Sequence, residues 1–191
     1  MLLETISHPS IDIDLRYATA DNLTHQPIYQ HALALLHPHA LQALLRAATL
    51  AAAQNLRLRV FDAYRPVAAQ WLLWKVLPDP DFVADPRHGP MHSRGVAVDL
   101  TLANHTGEPL DMGTGFDDMT VQSSHGRTDV SLLAQRNRAL LLGLMAASGF
   151  VHNATEWWHY NLPDWHSYPP LSDELEGLRL MDLKATGAIH D

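Results

Sequence analysis

The sequence predicts a single α+β domain, helices packed on a small, mainly antiparallel sheet. Two Ala/Leu-rich stretches, 39–54 and 131–149, have the apolar spacing of buried-face helices. Two others, 56–64 and 95–102, alternate with the period of strands. No internal repeat or low-complexity linker divides the 191 residues, so 1–191 reads as one unit, long enough for a sizeable core.

In chain order, residues 10–29 are mixed and turn-rich, punctuated by Asp21-Asn22 and Pro27. After Pro38, HALQALLRAATLAAAQ carries Arg46 as its lone charge and reads as a helix of about four turns. LRLRVFDAY sets Leu56, Leu58 and Val60 against Arg57 and Arg59, a strand pattern. Pro66 suits the start of a helix, continued by VAAQWLLWKVL. Residues 78–91 hold four prolines and a glycine and read as a loop. GVAVDLTL places Val96, Val98 and Leu100 on one face of a strand and Ala97, Asp99 and Thr101 on the other. Residues 103–128, rich in Gly, Asp, Ser and Asn, form a long functional loop. SLLAQRNRALLLGLMAASG is a second strong helix, stopped at Gly149. FVHNATEWWHYNLP reads as strand and turn, and the tail after Pro169 adds a short helix.

Charge and cysteine usage exclude several functions. The net charge of −8 argues against a general nucleic-acid binder, which needs a basic face. With no cysteine, disulfides and thiolate metal sites are excluded, so any zinc must be held by nitrogen and oxygen. Thirteen histidines make that possible. The N-terminal MLLETISHPSIDID has no basic start and no long apolar run, and no stretch reaches membrane-spanning length. The expectation is a soluble cytoplasmic protein with no membrane partner; composition leaves the oligomeric state open.

Four polar residues stand out. Catalytic zinc commonly takes three His, Asp or Glu ligands and leaves a position for water, with a carboxylate nearby to take that water's proton. His92, Asp99 and His159 suit the ligand set, and Glu156 the base. Asp99 shares its strand face with the small Ala97 and Thr101, and Gly95 can bend the chain so that His92 reaches the same point. Glu156 and His159, three apart, fall on opposite faces of a regular strand, so a twist, bulge or entering turn must bring Glu156 round. Spacing alone is equally compatible with a surface histidine, an Asp99 paired with arginine, and an aromatic core strand. Arg65, at a strand end in FDAYRP, suits the oxyanion of a tetrahedral intermediate, or else is a surface arginine that stabilises a turn or pairs with Asp62. Asn153-Ala154-Thr155 matches a glycosylation acceptor, a frequent match discounted without a secretory signal.

Taken together, DLRYATADN, FDAYRP, HSRGVAVDLTL, FDDM and EWWHY resemble the D-alanyl-D-alanine dipeptidases, VanX-type zinc dipeptidases of the zinc D,D-peptidase superfamily, in order and spacing from about Asp14 to Tyr160. The resemblance implies the small α+β zinc-peptidase fold and one zinc ion on His92, Asp99 and His159. It implies Glu156 as general base and Arg65 as transition-state stabiliser. It places Asp117 at the substrate's amino terminus, with Asp118 beside it as a rival, and Tyr17 in the pocket wall. The implied partner is a small dipeptide, D-alanyl-D-alanine. One departure is Pro90, where the family often has a serine that helps hold the substrate; Pro offers no hydroxyl and no N–H. The alternatives are a zinc D,D- or L,D-carboxypeptidase acting on longer wall peptides, and a non-catalytic metal-stabilised binding module.

Overall fold

The computed structural model describes residues 2–173 and 177–181. Its elements run β1 (Glu4–Thr5), β2 (Ile11–Ile13), β3 (Leu35–Leu36), α1 (Pro38–Ala52), β4 (Leu56–Asp62), α2 (Val67–Val76), β5 (Ala97–Asn104), α3 (Leu132–Ala147), β6 (Val151–His152) and β7 (His159–Asn161). The short helix expected after Pro169 falls largely on 174–176 and 182–191, outside the described residues. No described helix is long and apolar enough to cross a membrane.

The main sheet has the order β2-β4-β5-β7-β6. Its pairings are antiparallel except β2 with β4, which is parallel, so the α+β expectation of a mainly antiparallel sheet holds. A separate two-stranded sheet joins β1 to β3. Neither β1, β2 nor β3 was legible in the sequence, because runs of two or three residues carry no periodicity.

One face of the sheet makes the core. Leu58 and Val60 of β4, Val98, Leu100 and Leu102 of β5 and Tyr160 of β7 are buried in a cluster with α1 and α3. α1 contributes Ala40, Leu41, Ala43, Leu44, Ala47, Ala48 and Ala51, a stripe at helical spacing whose small side chains let the helix lie close to the strands. α3 starts at Ser131, whose hydroxyl accepts the Ala134 N–H at 3.0 Å, and stops before Gly149 at φ +97°. Its buried Arg138 donates to the carbonyls of Met112, Gln122 and Ser124, so the long loop 103–128 is pinned to the helix.

The opposite face carries the polar residues, and register decides which of them meet. Asp99 of β5 lies opposite His159 of β7 and opposite Asp62 of β4, setting three polar side chains in a row across three strands. Asp62 reaches that row through a register shift between Val60 and Asp62, a bulge that re-aims the strand end.

Before β5, residues His92–Arg94 form a 3₁₀ turn closed by Gly95 at φ +70°. A Cβ on Gly95 would stand 2.5 Å from Leu3 Cδ2 and 3.2 Å from the His37 backbone nitrogen. Gly95→Ala is therefore expected to destabilise the fold by about 2–4 kcal/mol, from the left-handed backbone and local overpacking together. Denaturant unfolding measures this, and a loss below about 1 kcal/mol would show that the turn relaxes at little cost.

Candidate active site

His92 is buried at the start of its 3₁₀ turn. Its Nδ1 lies 2.6 Å from the Ala63 carbonyl, which can only accept, so Nδ1 carries the proton and Nε2 of the neutral ring presents a lone pair. That Nε2 is 3.1 Å from His159 Nδ1 and 3.2 Å from Asp99 Oδ2. Asp99 Oδ1 is 3.0 Å from the same His159 nitrogen. Three electron-pair donors thus converge in a buried spot, all within 4.8 Å of one another.

The donor set fits a metal ion. Ligand atoms about 2.0–2.2 Å from a tetrahedral ion stand roughly 3.3–3.6 Å apart, close to the separations seen. The His159 nitrogen that joins the cluster is Nδ1, within 3.1 Å of both His92 Nε2 and Asp99 Oδ1. Burial alone would raise Asp99, but His92 and His159 outweigh it and hold the carboxyl well below the usual range, in the ionised form a metal needs.

Glu156 joins the cluster through a turn. Its carbonyl accepts the His159 N–H at 3.3 Å, so Trp157 and Trp158 occupy a tight turn and the strand begins only at His159. This entering turn removes the difficulty of two residues three apart on a strand. Glu156 Oε2 comes within 3.9 Å of His159 Nδ1. Burial pushes the Glu156 carboxyl up to about 7, against the pull of His159. A group with this value both takes and returns a proton near neutrality.

Arg65 is buried just past the end of β4 and pairs with Asp62. Its Nε donates to Asp62 at 2.7 Å, Nη1 to Gln70 Oε1 at 2.9 Å and Nη2 to Asp99 Oδ2 at 3.1 Å. The guanidinium also lies over the Tyr17 ring at 4.8 Å. A guanidinium has five N–H groups; among the described residues three are engaged, leaving one each on Nη1 and Nη2 for a ligand.

These residues line one cavity of about 150 Å³. Tyr17 and Asp117 form part of its wall: the Tyr17 hydroxyl donates to Asp117 Oδ1 at 3.1 Å and the Leu23 N–H to Oδ2 at 2.9 Å. Burial pushes Asp117 up to about 7 against the Leu23 bond. Asp118 lines a separate groove, so of the two neighbours Asp117 faces this cavity. Trp158 lines the cavity, whereas Trp157 donates to Thr114 Oγ1 at 2.8 Å and Tyr160 turns into the core. Pro90 is in the wall, and Ser93 is buried elsewhere with no partner for its hydroxyl among the described residues. His125 packs on His152, and Arg127 pairs with Asp129 at the surface; neither reaches the cavity.

Four contributors escaped the sequence reading. Asp62, weighed there only as a turn partner, is fully buried and also accepts the Tyr29 hydroxyl at 2.8 Å. Gln70 links Arg65 to the Ala84 carbonyl. Asn153 donates to Glu156 Oε2 at 2.9 Å. The proline-rich segment, read as a plain loop, supplies the wall from Pro80 to Ala84, so loop 103–128 covers the cavity only in part. The Asp62–Arg65 spacing in FDAYRP was the one signal available; Gln70 and Asn153 lie five and three residues from their partners, but across a helix start and a turn, where no period marks the contact.

Comparison with known proteins agrees with this geometry. The family model described as D-ala-D-ala dipeptidase matches residues 3–174. A D-alanyl-D-alanine dipeptidase of Escherichia coli is 48% identical over 166 residues, covering 87% of this chain and 86% of the relative. Relatives of the same name from Streptomyces coelicolor and Enterococcus faecium are 38% identical over 173 residues and 34% over 188. They cover 79% and 87% of this chain, and 85% and 92% of their own lengths. With the family model matched over most of its length and relatives of that name up to 48% identical, the chain belongs to the D-ala-D-ala dipeptidase family.

Proposed function

We propose that this chain hydrolyses the D-alanyl-D-alanine dipeptide to two D-alanines, with one zinc ion held by His92, Asp99 and His159. The observation that carries the reading is the meeting of the His92–Asp99–His159 cluster, Glu156 and Arg65 in one small cavity. A binding module needs neither a carboxyl poised near 7 nor a buried arginine with spare donors. At about 150 Å³ the cavity is well below the roughly 300–1,000 Å³ that drug-sized ligands occupy, which suits a dipeptide.

When bound, zinc supplies a Lewis acid and a water of lowered pKa. Glu156 takes the proton of the attacking water and returns it to the leaving amine. The free N–H groups of Arg65 donate to the carbonyl oxygen as negative charge grows there. Asp117, held by Tyr17 and the Leu23 N–H, receives the substrate ammonium, and this contact excludes an acylated amino end. Pro90 removes a hydroxyl donor from the wall, so substrate orientation falls to the remaining contacts.

Purified protein loaded with zinc is expected to release D-alanine from D-Ala-D-Ala but not from N-acetyl-D-Ala-D-Ala. A chelator should abolish turnover and added zinc restore it. Cleavage of the blocked peptide would assign a carboxypeptidase. No turnover of either by zinc-loaded protein would sink the hydrolytic reading.

A further inference from the structure

We propose that Asn153 is a positioning residue for Glu156, donating to Oε2 and so fixing the orientation of the base's carboxyl group beside the His92–Asp99–His159 cluster. The orientation of the Asn153 amide follows from its partners. One amide atom lies 3.1 Å from the Thr155 backbone N–H, which can only donate, so that atom is the carbonyl oxygen. The other, 2.9 Å from Glu156 Oε2, is therefore the NH₂, which can only donate. Among the described residues no other group donates a hydrogen bond to this carboxylate. This one donor therefore sets the rotation of the carboxyl group, whose Oε2 stands 3.9 Å from His159 Nδ1. The anchor is itself fixed: the Asn153 N–H donates to the His159 carbonyl at 3.1 Å, so the strand that places a metal-ligand candidate also places the residue that aims the base. Thr155 completes the joint. Its N–H serves Asn153, and its hydroxyl lies 3.1 Å from the Asp81 carbonyl in the cavity wall. The Asn-Ala-Thr stretch that fits a glycosylation acceptor is thus committed to internal contacts on both polar side chains.

This role rests on Glu156 being the base, and the experiment separates the two. Asn153→Asp keeps an oxygen for the Thr155 N–H, and so keeps the turn, but presents a second oxygen instead of a donor to Glu156. The expected result is kcat on D-Ala-D-Ala lowered about 10- to 100-fold, the range for losing a hydrogen bond to a charged group. KM should stay within about threefold, and zinc content and Tm should match wild type. A purely structural turn residue predicts the opposite, because Asp makes the same turn as Asn. If wild type is active and Glu156→Gln is not, yet Asn153→Asp keeps kcat within about threefold, only the role of Asn153 is overturned. Loss of zinc or of folded stability together with kcat overturns it too. Should Asn153→Asp not fold, Asn153→Ala removes the donor without adding charge; the same loss confined to kcat is expected, and an unchanged kcat is again fatal to the proposal.

Discussion

Glu156→Gln is expected to lower kcat on D-Ala-D-Ala by about 10²–10⁴-fold while zinc content stays at the wild-type level. Glutamine has nearly the same shape and still accepts from Asn153 through its oxygen, so the turn that carries it is preserved. It can neither take a proton from water nor return one to the leaving amine. Because the contribution arises in the transition state, kcat and kcat/KM should fall together. Metal analysis beside steady-state kinetics checks this. A variant that keeps zinc and turns over within about tenfold of wild type would remove Glu156 from the base role. A variant that loses zinc would place Glu156 among the residues that organise the metal.

Arg65→Met is expected to act on two quantities at once. Loss of the donors aimed at the developing oxyanion should cost about 10²–10³-fold in kcat. Loss of the cation also leaves Asp62 fully buried, with the Tyr29 hydroxyl as its remaining hydrogen-bond donor among the described residues and His92 Nδ1 3.7 Å away, and deprives Asp99 of a donor. Breaking a buried ion pair on one side destabilises by about 3–5 kcal/mol. A paired substitution separates these effects. Asp62→Asn together with Arg65→Met removes the stranded charge, so much of the stability should return in denaturant unfolding while kcat stays low. If the double variant regains activity to within about tenfold, Arg65 serves only to neutralise Asp62, and its place in the mechanism falls.

Asp62 also shows where a sequence reading ends. Its position three residues before Arg65 was visible, but whether the pair made a surface turn or a buried network depended on the bulge after Val60. The same holds for Glu156 and His159. Their spacing posed a problem for any regular strand, and the turn through Trp157 and Trp158 solved it. The segment 78–91, whose stretch from Pro80 to Ala84 walls the cavity, carried only proline and glycine punctuation, which marks a loop without saying what it covers.

What the sequence by itself determined was everything carried by local period or motif. α1, α2 and α3, β4, β5 and the strand at β7 followed from helical spacing, alternation and the residues that start and stop them. The core-facing row of Val96, Val98 and Leu100 and the placing of Asp99 on the opposite face followed from the two-residue repeat of a strand. His92, Asp99, His159, Glu156 and Arg65 stood out by type and order alone. The tertiary structure decided what those residues touch. Cross-strand register set Asp62, Asp99 and His159 side by side, and loop packing brought Asp117 to Tyr17 from a hundred residues along the chain. A hydrogen bond between distant segments leaves no period in either one, because the geometry that makes it exists only after the strands have paired and the core has closed.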